Sequence, residues 1–556
     1  MDNFEQWKSA ATELYSRSRR HFRHGLFDGL DLTPLGQIEL QQTFQSYAYL
    51  NSDFYNIVPF HSETWSAEFS QSPRAAVLID NEWPEPLDNS SATVFLNLSP
   101  YMSSFKKAVV EAGKFQTLNL GIDPFSLGLW KSCLFKSQLD EEVIRGLNQK
   151  GSHCFRITTQ SYDMAGASDV QQLALLLASV TQLISDDHGV LTIDEILNSL
   201  SFEVALTSHL FGSMAKLTAL RLLLARLIEL LEVELEHFPA IYASPSAKTM
   251  SHREPWNNIL KLTAMSSAAR MGGADGILNG AFDLFNKKPQ GHRVSRNVAE
   301  LLELESFLGH VDLPAEGSFV FNQMVDELCE KSWQFFGEIE NKDGLMASLR
   351  SGWIYNQVLE KSQLLRENVR RGDYRLTGSN QYPLMNSLSE EFPLARPEEL
   401  MDFETWWQSQ YDEEQAQHLC DVVRWIPHSL TLKFEKFHFI ADEMKRETGQ
   451  WPQVAIVVEP GLEKSPKLKS SVAALKLGGF NIIDVTPEQV STEKIALLVA
   501  SDPDGEFTKS TNDKLSSVPC KIWAGEKNMP GFNTNISTQT DLPELFSILY
   551  SSLGRV

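Results

Sequence analysis

The sequence predicts an α/β protein: a degenerate (β/α)8 barrel of the TIM type, then a helical linker, then a C-terminal flavodoxin-like domain. Three observations lead there. From about residue 75, apolar β-type runs alternate with amphipathic helical runs, which argues for a parallel sheet under covering helices. The repeat is about 35–45 residues long and continues for roughly 200 residues, which favours a closed barrel over an open sheet. The segment 451–556 repeats the strand–helix pattern by itself, as a small doubly wound domain would.

Residues 3–16 pattern as a short amphipathic helix, with Phe4, Trp7, Ala11 and Leu14 at spacings of three to four. Residues 30–49 read as an extended arm. Strands are expected at 75–80, 94–99, 115–123, 155–160, 201–206, 239–243 and 276–283, with helices at 103–112, 167–184, 212–231 and 256–271. The first two strands are close together, with Pro84 and Pro86 between them and no room for a crossover helix. The barrel is therefore expected to be regular only in its second half. Helical periodicity returns at 296–308, 321–339 and 344–367, and the acidic stretch 388–415, with Pro393 and Pro397, reads as a linker. The last domain is expected as strands 454–459, 480–485, 495–501 and 520–524 with helices 468–477, 506–516 and 542–553. The expected division is an arm over 1–50, a barrel with trailing helices over 51–385, a linker over 386–450 and the last domain over 451–556.

Bulk properties exclude several classes. The 556 residues carry 72 acidic against 49 basic side chains, a net charge of −23. So negative a surface repels nucleic-acid backbones and anionic lipid. The longest apolar stretch, 220–231, is broken by Arg221, Arg226 and Glu229 and reads as a buried helix, not a membrane span. Five scattered cysteines (Cys133, Cys154, Cys329, Cys420 and Cys520) form neither a C-x-x-C pair nor a ligand-spaced cluster, as in a reducing compartment. The first residues have neither a basic n-region nor an apolar h-region. The expectation is a cytoplasmic protein without nucleic acid or membrane as its partner.

The middle of the chain resembles the methylmalonyl-CoA mutase family. Phe155-Arg156-Ile157-Thr158-Thr159-Gln160-Ser161-Tyr162-Asp163-Met164-Ala165-Gly166-Ala167 is similar to a signature in which a barrel strand ends in an active-site turn. In the family's order follow Met214-Ala215-Lys216-Leu217-Thr218-Ala219-Leu220-Arg221, Glu254-Pro255-Trp256-Asn257, Gly272-Gly273-Ala274-Asp275 and the run Leu308 to Ser318. The likeness covers about 155–385 well, 1–50 and 450–556 loosely, and 51–150 poorly. Each fragment also has a packing reading. Gly166 suits a tight turn, Gly272-Gly273 a helix C-cap, and Lys216 and Arg221 could snorkel from a buried helix.

The resemblance implies a barrel that encloses a CoA thioester and a C-terminal domain that caps it with adenosylcobalamin. Against that pattern this sequence lacks the residues that matter. The family's lower cobalt ligand is the His of a D-x-H-x-x-G loop; the corresponding loop 461–467 has neither the Asp nor the His, and no histidine follows His438. Cys520 lies on a strand and reads as a buried core thiol, not a substitute ligand. Where the family carries the histidine that hydrogen-bonds the thioester carbonyl, this chain has Ser161, with Tyr162 and Asp163 beside it. A second family histidine has no counterpart in the apolar run Ile277, Leu278, Asn279. The carboxylate-gripping T-I-R-Q-Y motif is absent, and Glu68 would present the wrong sign to an acid substrate.

Polar residues expected at the strand ends are Asn97, Asn119, Asp123, Gln160, Glu203, His209, Asn279 and Asp283. Glu203 and His209 could act as acid and base, or these groups could satisfy one another and the loop backbone. The resemblance implies the small (beta) subunit of a heterodimeric methylmalonyl-CoA mutase, structural in role. No catalytic, cofactor-binding or metal-binding residue is assigned to it, and adenosylcobalamin is expected in the catalytic large (alpha) subunit. CoA binding by this chain is doubtful. The basic run 17–24 is either a solvated helix end or an arm that docks on an acidic partner surface or a CoA phosphate. The alternatives are a cobalamin-independent isomerase or lyase acting on a CoA thioester through Glu203, His209 or Tyr162, and a CoA-binding scaffold.

Overall fold

The computed structural model describes residues 55–59, 75–80, 93–97, 118–125, 129, 153–185, 192–235, 237–285, 291–384, 425, 427–490, 494–526 and 529–555. The predicted helix 3–16, the arm 30–49, the basic run 17–24, Glu68, the helix 103–112 and the acidic stretch 388–415 lie outside these residues. Contacts divide the chain into two units: Met1–Met250, Asn258–Gln363 and Met401–His428, and then Ser251–Asn257, Leu364–Leu400 and Ser429–Val556.

The first unit is a closed parallel barrel in which strand order follows chain order. Its strands are β1 (Tyr55–Pro59), β2 (Ala75–Asp80), β3 (Thr93–Asn97), β4 (Leu118–Ile122), β5 (His153–Thr158), β6 (Leu200–Leu206), β7 (Ala240–Pro245) and β8 (Gly276–Leu278). β8 pairs with β1 in parallel, Ile57 opposite Leu278, and closes the ring. β1 was not anticipated, because a single five-residue run carries no period of its own. β2 and β3 also pair in parallel, with Leu78 opposite Phe95, although only residues 81–92 connect them. A parallel return needs reach, not a helix: each residue spans up to about 3.5 Å, so the connection covers a five-residue strand twice over. The expected irregularity of the first half is therefore not one of strand direction.

Strand alternation sorts side chains. Leu120, Ile122, Phe155, Ile157, Phe202, Val204, Ile241, Ala243 and Ile277 join the large core beneath the helices, while Ile57, Phe95, Ala240, Tyr242 and Leu278 form a separate cluster on the opposite side of the strands. Covering the large core are α1 (Gln160–Met164), α2 (Asp169–Ser185), α3 (Ile193–Asn198), α4 (Leu210–Leu230), α5 (Pro255–Met271), α6 (His292–Leu304), α7 (Phe319–Glu340), α8 (Gly344–Arg350) and α9 (Trp353–Arg371). α3 begins with a capping box, Thr192 Oγ1 accepting from the Glu195 amide and the Glu195 carboxylate from the Thr192 amide. Gln160, predicted as strand, instead opens α1, a single helical turn. There the Thr159 Oγ1 accepts from the Ala205 amide at 2.7 Å and turns the chain off the sheet.

The second unit holds a five-stranded parallel sheet, in spatial order β10, β9, β11, β12, β13. These strands are β9 (Gln453–Val458), β10 (Asn481–Asp484), β11 (Ile495–Val499), β12 (Cys520–Ala524) and β13 (Thr534–Ile536). Val454, Ile456, Leu497 and Ile522 share one core with α10 (Leu432–Thr448), α11 (Pro466–Leu477) and α13 (Leu542–Ser552). Ala455, Val457, Leu498 and Trp523 face a second core beside α12 (Glu506–Lys514), with Leu515 and Val518. The stretch read as linker thus contains α10, whose Phe434, Phe437 and Ala441 are buried in this unit. No helix among the described residues is long and apolar enough to cross a membrane.

Candidate functional site

Two places could hold chemistry: the barrel interior with its strand-end turns, and the C-terminal edge of the second sheet. In the barrel interior, Phe95 on β3 meets Tyr242 on β7 edge to face, with ring centroids 4.9 Å apart. β3 and β7 are four strands apart in an eight-stranded ring, so the two rings touch across its diameter. Ile57, Ala240 and Leu278 complete this apolar half.

The other half is polar. Arg156 Nε lies 3.3 Å from Glu203 Oε2, and Asn119 Nδ2 donates to Ser201 Oγ at 2.9 Å. Ser201 Oγ donates in turn to the Phe155 carbonyl. Glu203 is thus ion-paired with Arg156. The charge acting on His209, at the start of α4, is that of Asp169, which opposes the stronger lowering of its pKa by burial. The structure does not make Glu203 and His209 an acid–base pair. Arg156 and Glu203 were legible in principle, since each is a lone charge inside an apolar strand.

The strand-end turns are similarly occupied. Asp123 accepts from the amides of Phe125 and Thr158, both at 2.9 Å, and so ties the ends of β4 and β5. Gln160 Nε2 donates to Ser244 Oγ at 2.6 Å and to the Pro245 carbonyl, linking α1 to the end of β7. Ser161 is fully buried and its hydroxyl has no hydrogen-bond partner among the described residues. Tyr162 is buried against Trp425; burial, then the charge of Asp123, pushes its phenol far above the ordinary range, which unsuits it for acid–base work. Asp163 was not singled out as a site, yet it is the hub of this turn. It accepts from Lys248 Nζ and Ser246 Oγ, both at 2.6 Å, and from Gln172 Nε2 at 3.1 Å. Burial raises its pKa, but Lys248 and Lys216 outweigh that and hold the carboxylate ionised below its usual range. Lys216 does not snorkel: its ammonium donates to Gln172 Oε1 at 2.6 Å and to the Ala205 carbonyl, and pairs with Asp169 at 2.8 Å. Nor does Arg221, which binds Asp275 Oδ2 at 2.9 Å, the same oxygen that accepts from the Ile241 amide.

Asn279 and Asp283 are buried after β8, with the Asn279 amide donating to the Ile57 carbonyl. Asn97 ends β3 opposite Asp80. Among the described residues no group of three or more His, Cys, Asp or Glu side chains could hold a metal ion.

In the second unit strand order reverses between β9 and β11, the position where open α/β sheets bind ligands. At that edge Ser501 donates to Glu459 Oε2 through both its amide and its hydroxyl, at 2.6 Å each. Lys467, in the first turn of α11, donates to the Ala500 carbonyl at 2.8 Å and lies 4.5 Å above the Trp523 ring. Glu463 folds back on the Gly461 amide. His438, the last histidine of the chain, is buried in α10 with Nε2 2.7 Å from the Leu477 carbonyl. A carboxylate, a hydroxyl and an ammonium, each already bonded, do not fit the role of a lower cobalt ligand, and no imidazole lies in the loops of that edge among the described residues. Cys520, in β12, is buried and its thiol is raised by burial, a core residue.

A closed parallel barrel and a parallel sheet of order β10, β9, β11, β12, β13 define a two-unit α/β protein in which Asp123, Gln160 and Asp163 at the barrel's strand ends are bonded internally. Residues 148–417 match the family described as methylmalonyl-CoA mutase. That match covers just under half of the chain. It is similar to the methylmalonyl-CoA mutase small subunit of Streptomyces virginiae, 32% identical over 273 residues that cover 48% of this chain and 44% of the relative. A probable methylmalonyl-CoA mutase small subunit of Mycobacterium bovis is 28% identical over 327 residues, 54% of this chain and 52% of the relative. A methylmalonyl-CoA mutase of Rhizobium meliloti is 27% identical over 237 residues, 41% and 33%. The chain spans about half the length of the small subunits it matches.

Proposed function

We propose that this chain is the small (beta), non-catalytic subunit of a heterodimeric, adenosylcobalamin-dependent methylmalonyl-CoA mutase. In this reading a longer partner chain holds the cofactor and interconverts methylmalonyl-CoA and succinyl-CoA. The present chain pairs with it in the cytoplasm and stabilises its closed barrel.

The observation that carries the proposal is the contact of Phe95 with Tyr242 across the barrel, which occupies the interior a thioester would need. Support also comes from Ser161 in place of the thioester histidine, the engagement of Glu203 by Arg156, and the loop 461–467 without histidine. The sheet order of the second unit supports reading it as a flavodoxin-like domain of the cobalamin-binding type. The reading keeps 51–385 as the barrel with trailing helices and 386–450 as the linker, whose α10 packs into the second unit, with 451–556 as the rest of that domain. The rival isomerase or lyase reading has no specific observation in its favour.

The test is co-expression with a longer mutase chain carrying D-x-H-x-x-G, followed by copurification and an assay with and without adenosylcobalamin. The expected result is a stable complex whose activity requires the cofactor, with no turnover by the present chain alone. Turnover by the isolated chain would overturn the proposal. Deletion of residues 1–30 is expected to weaken copurification if the N-terminal arm belongs to the interface.

A further inference from the structure

Lys467 occupies an electrostatically unfavourable position. It is the second residue of α11, whose N-cap is Ser465, so its ammonium sits at the positive end of the helix. A lysine there is opposed by the helix dipole unless other groups compensate it. Three do: the Ala500 carbonyl at 2.8 Å, the Trp523 ring at 4.5 Å, and the attraction of the Glu459 carboxylate. Glu459 follows β9, Ala500 and Ser501 follow β11, and Trp523 is on β12. The groups therefore come from three adjacent strands and the helix after β9. They converge where the strand order reverses.

That position is normally left to a ligand, with the helix N-terminus drawing in an anionic group. Here the Glu459 carboxylate spans the reversal to Ser501, and the Lys467 side chain lies across the edge toward β12. We propose that Glu459, Ser501 and Lys467 form an internal latch that ties together the strand ends where the order of the second sheet reverses. It goes beyond the subunit reading and stands or falls separately from it, since it concerns the edge of one sheet and no partner.

The test is amide hydrogen exchange on the full chain, comparing wild type with Lys467→Ala and Ser501→Ala, and with Lys467→Arg as the conservative variant. Loss of a charge-assisted bond at the edge is expected to speed exchange of segments 459–468 and 500–506 by about tenfold in the alanine variants. Exchange in the buried centres of β9 and β11 stays unchanged and reports that the second unit remains folded. Lys467→Arg, which keeps a cation over Trp523, is expected to retain most of the protection. Unchanged edge exchange in both alanine variants would overturn the latch.

Discussion

Tyr242 on β7 and Phe95 on β3 come from opposite sides of the ring and meet edge to face, 4.9 Å between centroids. The pair closes the barrel interior with two aromatic rings, which places their energy in packing rather than in ligand contact. Phe95→Ala is expected to destabilise the chain by about 3–5 kcal/mol in urea unfolding, because it removes a buried ring and leaves a cavity that rigid strands cannot collapse. A loss below about 1 kcal/mol would mean that the interior is loosely filled.

Asp163 and Lys248 are both buried, so breaking the pair costs more than the pair itself contributes. Asp163→Asn strands the Lys248 ammonium and is expected to cost about 3–5 kcal/mol. The double change Asp163→Leu with Lys248→Met is expected to cost less than the single change. Equal losses in a denaturant titration would show that packing, not the uncompensated charge, dominates.

Gly166 has φ of +94°, and a Cβ there would lie 2.6 Å from the Ser362 Cβ. Gly166→Ala therefore meets backbone strain and an overlap between α9 and the turn after α1. A loss of about 2–4 kcal/mol is expected, from strain and overpacking together. Pairing it with Ser362→Gly relieves the overlap and should recover part of the loss, measurable by the shift in unfolding midpoint.

Burial, then the positive charge of Arg253, lowers His438 from 6.5 to about 4; its bond to the Leu477 carbonyl and the Glu435 charge act the other way. Arg253 is itself held by Asp442, with bonds of 2.7 and 2.9 Å, and by Glu254. A histidine whose folded pKa is depressed binds fewer protons folded than unfolded between those two values. Its contribution is then fully present above pH 6.5 and is lost as pH falls toward 4. Stability should decline over that window by on the order of 3 kcal/mol, and His438→Gln should flatten that part of the profile. An unchanged profile in the variant would assign the decline to other groups.

Much of the fold was legible in the residues. The apolar runs from 153 to 278 are flanked by helices with clear periodicity, so β5 to β8 and α2, α4 and α5 were anticipated with shifts of a few residues. β1 and β13 were not, because runs of five and three residues carry no period by themselves. The candidate site was legible as a set of missing imidazoles, a property of composition and spacing. Arg156 and Lys248 escaped notice: their partners Glu203 and Asp163 are 47 and 85 residues away in sequence, and no local pattern links them.

By itself the sequence determined the likeness to the methylmalonyl-CoA mutase family, the order of elements from β5 to β8, and the absence of a histidine after residue 438. Those follow from residue type and spacing, which act locally along the chain. Only the tertiary structure decided that Phe95 and Tyr242 meet across the barrel, that Glu203 belongs to Arg156, and that Lys467 and Glu459 are bonded at the edge where the strand order reverses. Each of these joins groups from different strands, and which strands are neighbours or opposites is settled by ring closure and sheet order.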